Sequence, residues 1–299
     1  MAVKKKTQKK LTGSERMRLS LDGLSVGDAF GERFFGPPEA VVPAIRARKV
    51  PARAPWKWTD DTAMALSVVE TLETHGKIDQ RHLAKQFGAR WAKEPARGYG
   101  TGAHQVLELL SRDADWEHSA KQLFNGQGSK GNGAAMRVAP LGAFFVDQPL
   151  SRVVEEAHAQ AAVTHAHPDG QAGAVAVAVA AWCLSKPEPI ALVWTHVLAR
   201  TPHGPTRDAL EKASHLGFDL SSEEVARRLG SGGKVLSEDT VPFSLWCALR
   251  HHDDYEEALW NTVAGLGDRD TTCAIVGGLV ALNSKVPPKW LEAREPLSA

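Results

Sequence analysis

Apolar residues recur at helical spacing through most of this chain, and almost no segment alternates apolar with polar residues. The first helical segment runs from Glu15 to Phe30 and puts Met17, Leu21 and Leu24 on or near one side. A half-buried β-strand needs strict two-residue alternation, usually with β-branched residues, and that pattern is missing. The sequence therefore predicts an all-α domain without internal repeats or a clear linker.

The composition is that of an ordinary globular protein. Of the 299 residues, 43% are hydrophobic and 24% are charged, and the length allows one large domain or two small ones. The formal net charge of +1 gives no general attraction to nucleic acids or acidic membranes. Lysines cluster only near the start, at Lys4, Lys5, Lys6, Lys9 and Lys10. We predict a basic, flexible tail over residues 1–14 and a single domain over residues 15–299.

Neither secretion nor membrane insertion is expected from this sequence. No apolar stretch follows the first lysines, as a signal peptide would require. The alanine-rich run from Ala172 to Leu184 is too short to span a bilayer. Cys183, Cys247 and Cys273 are widely spaced in apolar segments, which argues against a disulfide framework and a zinc site. We expect buried thiols in a reducing compartment, and hence a cytoplasmic protein.

Two acidic clusters stand at predicted helix starts far apart in the chain. Thr59 is the expected N-cap of one helix, with Asp60 and Asp61 in its first turn, and Gly267-Asp268-Arg269-Asp270-Thr271 leads into a second helix from Cys273 to Leu282. Helix capping alone can account for such carboxylates. The alternative is that the two helix starts face each other and bind hard metal ions, since oxygen ligands suit Mg²⁺, Mn²⁺ or Ca²⁺ better than zinc.

Glycine-rich and proline-rich loops separate the predicted helices. Residues 126–133 carry four glycines and lead into a predicted helix over 134–145, an arrangement that suits phosphate binding but is also typical of a mobile surface turn. A long irregular loop is expected over residues 37–55, which contain five prolines. His165 and His167 lack further metal-ligand spacing, so contact with a ligand is favoured over a zinc site.

Five motifs, taken in order, resemble those of the ADP-ribosylglycohydrolase family, which includes the dinitrogenase-reductase-activating glycohydrolases. The motifs are Gly27-Asp28-Ala29-Phe30-Gly31, Thr59-Asp60-Asp61-Thr62, Gly131-Asn132-Gly133-Ala134-Ala135-Met136-Arg137, Thr164-His165-Ala166-His167-Pro168-Asp169-Gly170 and Gly267-Asp268-Arg269-Asp270-Thr271. The resemblance covers about residues 16–282. It implies an all-α orthogonal helical bundle around a central dinuclear site that holds two Mg²⁺ or Mn²⁺ ions.

The resemblance also implies a set of site residues. The implied metal ligands are Thr59, Asp60, Asp61, Asp268, Asp270 and Thr271. The implied ligand-binding residues are Gly128, Ser129, Gly131, Asn132 and Gly133 at the diphosphate, His165 beside them, and Tyr99 and Gly100 at the ribose. Either Asp60 or Asp61 could act as the general base, and the sequence does not separate the ligand from the base.

The implied reaction is hydrolysis of the bond between C1″ of ADP-ribose and an acceptor on a protein or a related conjugate. Many family members carry a Glu seven positions past the Asp of the first motif, where this chain has Phe35; Glu32 is the nearest carboxylate and the candidate substitute. Arg269 is expected to reach the diphosphate or to point to solvent. The alternative function is a non-catalytic protein that binds ADP-ribose or a nucleotide. We expect a monomer, with nucleic acid involved only as an ADP-ribosylated substrate.

Overall fold

Helices make up the regular structure of residues 11–297, the part of the chain that the computed structural model describes. Those residues form no β-strand, apart from two isolated bridges. One turn of 3-10 helix spans Asn132–Ala134. The α-helices are α1 (Gly13–Glu32), α2 (Pro38–Arg46), α3 (Asp60–His75), α4 (Gln80–Lys93), α5 (Thr101–Ser111), α6 (Trp116–Gly126), α7 (Ala139–Phe144), α8 (Leu150–Ala162), α9 (Pro168–Leu184), α10 (Ala191–Arg200), α11 (Pro205–Ser214), α12 (Ser222–Leu229), α13 (Ser237–Arg250), α14 (Tyr255–Ala264), α15 (Arg269–Val280) and α16 (Pro288–Ala293). The all-α prediction is confirmed.

The first helix includes the last two residues of the predicted tail. Thr12 caps α1 through a capping box with Glu15, so Gly13 and Ser14 belong to its first turn. The lysine cluster of the predicted tail lies outside the described residues.

Helices α1 and α15 pack with their backbones in close contact, because glycines line the shared face. A Cβ atom added at Gly27 would lie 2.1 Å from the carbonyl oxygen of Cys273, and one at Gly31 would lie 2.2 Å from that of Arg269. Gly23 meets Gly277 in the same way. Glycines four residues apart lie on one face of a helix, so this stripe lets the two antiparallel helices approach closely. It brings the end of α1 against the start of α15.

Helix α9 forms the centre of the remaining bundle. All its residues except Pro168 and Gln171 are buried, and most of them are Ala or Val. A Cβ atom at Gly142 of α7 would lie 2.1 Å from the carbonyl oxygen of Ala178. The small residues of α9 therefore let α7 pack closely against it.

The segment before α3 is held by the last described residues. The backbone N–H of Trp56 donates to the carbonyl oxygen of Ala293 (2.6 Å), and that of Glu295 donates to Trp56 (2.8 Å). The Arg97 guanidinium stacks over the Trp58 ring at 3.6 Å and donates to the carboxylate of Glu295. These contacts hold the start of α3 in place.

Three local predictions need correction. The loop over residues 37–55 contains α2, because Val41 and Ile45, one turn apart, both reach the core. The helix predicted over 134–145 begins only at Ala139, and the helix after the second acidic cluster already begins at Arg269. Helix α10 buries only Val193 and Val197.

All three cysteines are free and buried, as predicted. None of the helices within residues 11–297 has both the length and the apolar content needed to cross a bilayer.

Candidate active site

The two acidic clusters meet in the structure, together with a carboxylate from α1. One carboxylate oxygen from each of Asp28, Asp61 and Asp270 lies within 4.8 Å of the other two. Asp28 comes from the end of α1, Asp61 from the first turn of α3, and Asp270 from the first turn of α15. The close approach of α1 and α15 therefore positions the triad.

Asp28 carries out the capping that the sequence had suggested for the other carboxylates. It accepts hydrogen bonds from the backbone N–H of Thr59 (3.0 Å) and of Thr62 (3.0 Å), and from both threonine hydroxyls. Thr59 is the N-cap of α3, as predicted, and accepts from the N–H of Asp61. Because the first turn of α3 is capped by these two residues, the carboxylates of Asp60 and Asp61 are not needed for capping.

Asp61 has one carboxylate oxygen that is both buried and without a partner. Its Oδ2 lies 3.0 Å from Thr59 Oγ1 and 3.4 Å from Thr271 Oγ1, whereas Oδ1 has no hydrogen bond. Thr59 Oγ1 also lies 2.9 Å from Asp28 Oδ1, yet a hydroxyl has only one proton to donate. The cluster is therefore short of positive groups, which is unfavourable unless a cation is bound.

The raised pKa values of the clustered carboxylates reflect the same lack of positive groups. Burial, followed by the charge of Asp28, raises the pKa of Asp60 to about 8. Burial raises the pKa of Asp28 to about 6, against the hydrogen bonds from Thr62 and Thr59. Burial and the charge of Asp270 raise the pKa of Asp61 well above its usual value. Neighbouring carboxylates ionise together only when a cation offsets their repulsion, so these oxygens fit a hard divalent metal ion.

The second acidic cluster supplies two carboxylates with different hydrogen-bond partners. Asp268 accepts a hydrogen bond from Asn132 Nδ2 (2.7 Å), and Asp270 accepts one from the backbone N–H of Thr271 (2.9 Å). Burial, followed by the charge of Asp268, raises the pKa of Asp270 well above its usual value. Burial also raises the pKa of Asp268, against the hydrogen bond from Asn132. Asn132 thus links this cluster to the glycine-rich loop.

A cavity of about 750 Å³ opens above the acidic cluster. Asp60, Asp268, Asp270 and Thr271 line its floor, whereas Asp61 lies beneath it. The predicted ligand-binding residues that line its walls are Gly100, Gly128, Ser129, Gly131, Asn132, Gly133 and His165. A cavity of this size fits a dinucleotide-sized ligand that places one end on the carboxylates.

The glycine-rich loop is anchored by contacts on both sides. The backbone N–H of Gly131 donates to Ser129 Oγ (3.1 Å), and that of Asn132 donates to the carbonyl oxygen of Val235 (3.2 Å). Within residues 11–297, the backbone N–H groups of Ser129 and Lys130 donate to no backbone acceptor. A single 3-10 turn follows the loop, so the expected dipole of a directly following α-helix is absent.

Three of the singled-out residues lie away from the cavity lining. Tyr99 is buried against the His104 ring, with a centroid distance of 5.9 Å. Glu32 is the exposed last residue of α1. Arg269 neither reaches the cavity nor points to solvent: it is buried, donates to the carbonyl oxygen of Phe34 (2.8 Å) and stacks over Phe35 at 5.2 Å. Arg269 therefore holds the loop that follows α1.

Sequence reasoning missed several residues at this site. Asp28 was seen only as part of a motif, although an aspartate in the middle of an apolar helix end was a usable indication. Arg137 and Thr164 line the cavity from the buried side, and Lys234 and Val235 line it from the segment before α13. Nothing in the local sequence indicated this last segment, because only the fold brings it to the loop.

Comparison with known proteins agrees with this geometry. The ADP-ribosylglycohydrolase family model matches residues 9–297. The chain belongs to the ADP-ribosylglycohydrolase family. The resemblance of the five motifs is thereby confirmed, and membership supports hydrolase activity on ADP-ribose compounds.

Relatives of this chain come from distant organisms. The chain is 29% identical to ADP-ribosylhydrolase ARH3 of Gallus gallus over 330 residues, which covers 94% of this chain and 89% of the relative. It is 27% identical to the Homo sapiens protein of the same name, and the match covers 80% of this chain and 74% of the relative. It is also 29% identical to an uncharacterized protein of Archaeoglobus fulgidus, covering 93% and 91%.

A solved structure, named "ADP-ribosylglycohydrolase-related protein complex", superposes with a TM-score of 0.69 at 24% identity. The superposition covers 95% of this chain and 93% of the solved chain. At this identity the likeness concerns the fold alone.

Proposed function

We propose that this protein is a metal-dependent hydrolase that cleaves the bond between C1″ of ADP-ribose and an acceptor, and releases ADP-ribose. The observation that carries the proposal is the meeting of Asp28, Asp61 and Asp270 beneath a cavity whose wall is the glycine-rich loop. The acidic floor suits a cation, and the loop beside it suits an anion. A ligand with a diphosphate next to a ribose satisfies both.

The proposed metal site holds two Mg²⁺ or Mn²⁺ ions. Asp61 and Asp270, with Asp60, Asp268, Thr59 and Thr271 around them, are the proposed ligands, and Asp28 completes the triad. Bound ions of this kind orient ribose hydroxyls and polarise water for attack on carbon. The unpartnered Oδ1 of Asp61 supports this assignment. So does the donor set, which consists of oxygen atoms only.

The two adjacent carboxylates of α3 have different proposed roles. Asp61 points into the triad, whereas Asp60 lines the cavity and lies outside the triad. Asp60 is therefore the better candidate for the base that takes a proton from the attacking water. In the net reaction, the water oxygen bonds to C1″, the bond from C1″ to the acceptor breaks, and the acceptor leaves with a proton.

A second candidate, non-catalytic binding of ADP-ribose, is favoured by one observation. Phe35 stands where many family members have a glutamate, and its ring is held by Arg269 and is 46% exposed. Glu32 ends α1 in an exposed position, and only its proximity to the charge of Asp28 links it to the cluster. In the catalytic proposal, Glu32 takes over part of the role of the missing glutamate.

The proposal is tested by measuring free ADP-ribose after incubation with Mg²⁺ and three substrates: arginine-linked and serine-linked mono-ADP-ribosyl proteins, and an ADP-ribosylated nucleic acid. We expect release from at least one, and none after EDTA treatment. Release in EDTA would contradict the metal role. No release from any of the three, with tight ADP-ribose binding by calorimetry, would favour the binding protein. No turnover and no binding would rule out both.

We propose that the protein acts as a cytoplasmic monomer on ADP-ribosylated protein or a related conjugate. Size-exclusion chromatography with light scattering tests the monomer.

A further inference from the structure

A fully buried arginine, Arg137, lines the inner side of the cavity wall. The Nε of Arg137 donates to Gln160 Oε1 (2.8 Å), and its Nη2 donates to Thr164 Oγ1 (2.9 Å) and to the carbonyl oxygen of Gln160 (3.1 Å). Its guanidinium lies 4.5 Å from the centre of the Phe87 ring. No carboxylate among residues 11–297 accepts a hydrogen bond from it. A cation buried without an ion-pair partner is costly, so its other contacts need an explanation.

The contacts of Arg137 determine which way the Thr164 hydroxyl points. Thr164 Oγ1 also lies 2.8 Å from His165 Nδ1. A guanidinium can only donate, so Thr164 accepts from Arg137, and its own proton has one acceptor among the described residues, His165 Nδ1. The opposite arrangement would leave a buried hydroxyl proton without a partner. Nδ1 therefore accepts, and the proton of a neutral imidazole lies on Nε2.

The protonated nitrogen faces the glycine-rich loop. A Cβ atom at Gly131 would lie 3.5 Å from His165 Nε2, and one at Gly133 would lie 3.4 Å from it. In the described part of the chain, Nε2 has no hydrogen-bond acceptor. Burial and the charge of Arg137 lower the pKa of His165 to about 3, so the ring is neutral at pH 7 and carries a single N–H. That N–H points into the cavity.

We propose that Arg137 and Thr164 are positioning residues that hold His165 in its Nε2–H tautomer, so that it donates to a phosphate oxygen of a ligand in the loop. This inference rests on the proposed function, because the diphosphate of ADP-ribose is the anion concerned. Arg137 does not touch the ligand in this scheme; it acts through the hydroxyl of Thr164 and adds a fixed positive charge behind the loop.

If Arg137 had a purely structural role, the effect of removing the Thr164 hydroxyl would be different. Gln160 Nε2 donates to the carbonyl oxygen of Ala134 (3.0 Å), so the pair Arg137–Gln160 also ties α8 to the 3-10 turn. If that were its whole purpose, loss of the Thr164 hydroxyl would change stability without changing the histidine tautomer.

The test compares Thr164→Val, which removes the hydroxyl at nearly constant shape, with Thr164→Ser, which keeps it. Nitrogen-15 NMR of protein labelled at histidine reports which ring nitrogen carries the proton, and a His165→Gln variant identifies the signal of His165 among the 12 histidines. Calorimetry with ADP-ribose and Mg²⁺ gives the affinity of each variant.

We expect the Nε2–H tautomer in the wild type and in Thr164→Ser. In Thr164→Val we expect a mixture of tautomers and about tenfold weaker ADP-ribose binding. A wild-type Nδ1–H form would overturn the inference, as would an unchanged tautomer or an unchanged affinity in Thr164→Val. A wild type that binds no ADP-ribose would instead overturn the proposed function, while the NMR signals would still decide the tautomer.

Discussion

The floor and the wall of the cavity are built from opposite charges, and neither is neutralised within the protein. The floor and the buried carboxylates beneath it comprise Asp28, Asp60, Asp61, Asp268 and Asp270, and burial raises the pKa of each of them. The wall has the opposite tendency, since burial lowers the pKa of Arg137 to about 9.

Two charged regions lie side by side here, yet Arg137 forms no ion pair with the cluster. Burying charges that do not form an ion pair costs free energy, and such charges do not stabilise the fold. This contrast supports the proposal that each region has an external partner of its own, a cation at the floor and an anion at the wall.

Replacing Asp61 by Asn should abolish metal binding at the floor. The substitution keeps the shape and removes one negative charge and one ligand oxygen from the triad. We expect at least about 100-fold weaker binding of Mn²⁺ by calorimetry, with unchanged helix content by circular dichroism. The matched control is Asp253→Asn, which changes an exposed carboxylate that is not part of the cluster and should bind like the wild type. Undiminished Mn²⁺ binding in Asp61→Asn would remove the basis for a metal-binding floor.

Replacing Gly27 by Ala should separate the helices on which the floor depends. The new methyl group would lie 2.1 Å from the carbonyl oxygen of Cys273, so α1 must move away from α15. We expect a loss of about 1–3 kcal/mol in the free energy of unfolding, measured with urea, together with weaker metal binding. Gly233→Ala is the control, because a Cβ there meets no atom within 4 Å. Equal stability of the two variants would contradict the glycine-stripe explanation.

Replacing Arg137 by Met should affect the floor and the wall in opposite directions. Loss of the cation should weaken ADP-ribose binding about tenfold, and it should strengthen metal binding a few-fold, since the guanidinium then no longer opposes a nearby positive ion. Calorimetry with each ligand separately gives both numbers, and a thermal melt shows whether the variant folds. Arg18→Met, at an exposed surface pair, serves as the control. A parallel loss of both affinities would mean that floor and wall are not electrostatically distinct.

The stability of the metal-free protein should fall as the pH rises from about 4 to 8. Folded-state pKa values of about 6 for Asp28 and about 8 for Asp60 exceed the usual value of 3.8, so the folded state binds more protons than the unfolded state within this range. The stabilisation is complete below the unfolded pKa and is lost as the pH passes the folded pKa. Thermal melts in EDTA and in Mg²⁺ should therefore differ by a few °C more at pH 8 than at pH 5. A metal shift that is equal at both pH values would contradict raised carboxylate pKa values.

Part of the site was predictable because the same pattern, carboxylates and a hydroxyl at a helix start, occurs twice in the sequence. The helix start at Thr59 was recognisable from its capping pattern, and the shared composition of the two acidic clusters correctly suggested that they meet. Local sequence patterns failed to predict the role of a side chain where its hydrogen-bond partner comes from a distant part of the chain. Asp28 accepts from Thr59 and Thr62 across a helix pair, and no spacing rule relates those positions. Arg269 looked available for a ligand, but the fold uses it to hold Phe34 and Phe35.

The sequence by itself determined the helical class, the capped start of α3 and the two acidic clusters, because hydrophobic periodicity and capping are local properties of a few neighbouring residues. Only the tertiary structure decided which carboxylate would cap α3, which one would be left with an unpartnered oxygen, and which nitrogen of His165 would face the loop. Those outcomes depend on which donors and acceptors are buried side by side. The packing of α1 against α15 and the hydrogen bond from α8 to the 3-10 turn set that arrangement, and it cannot be read from any one segment.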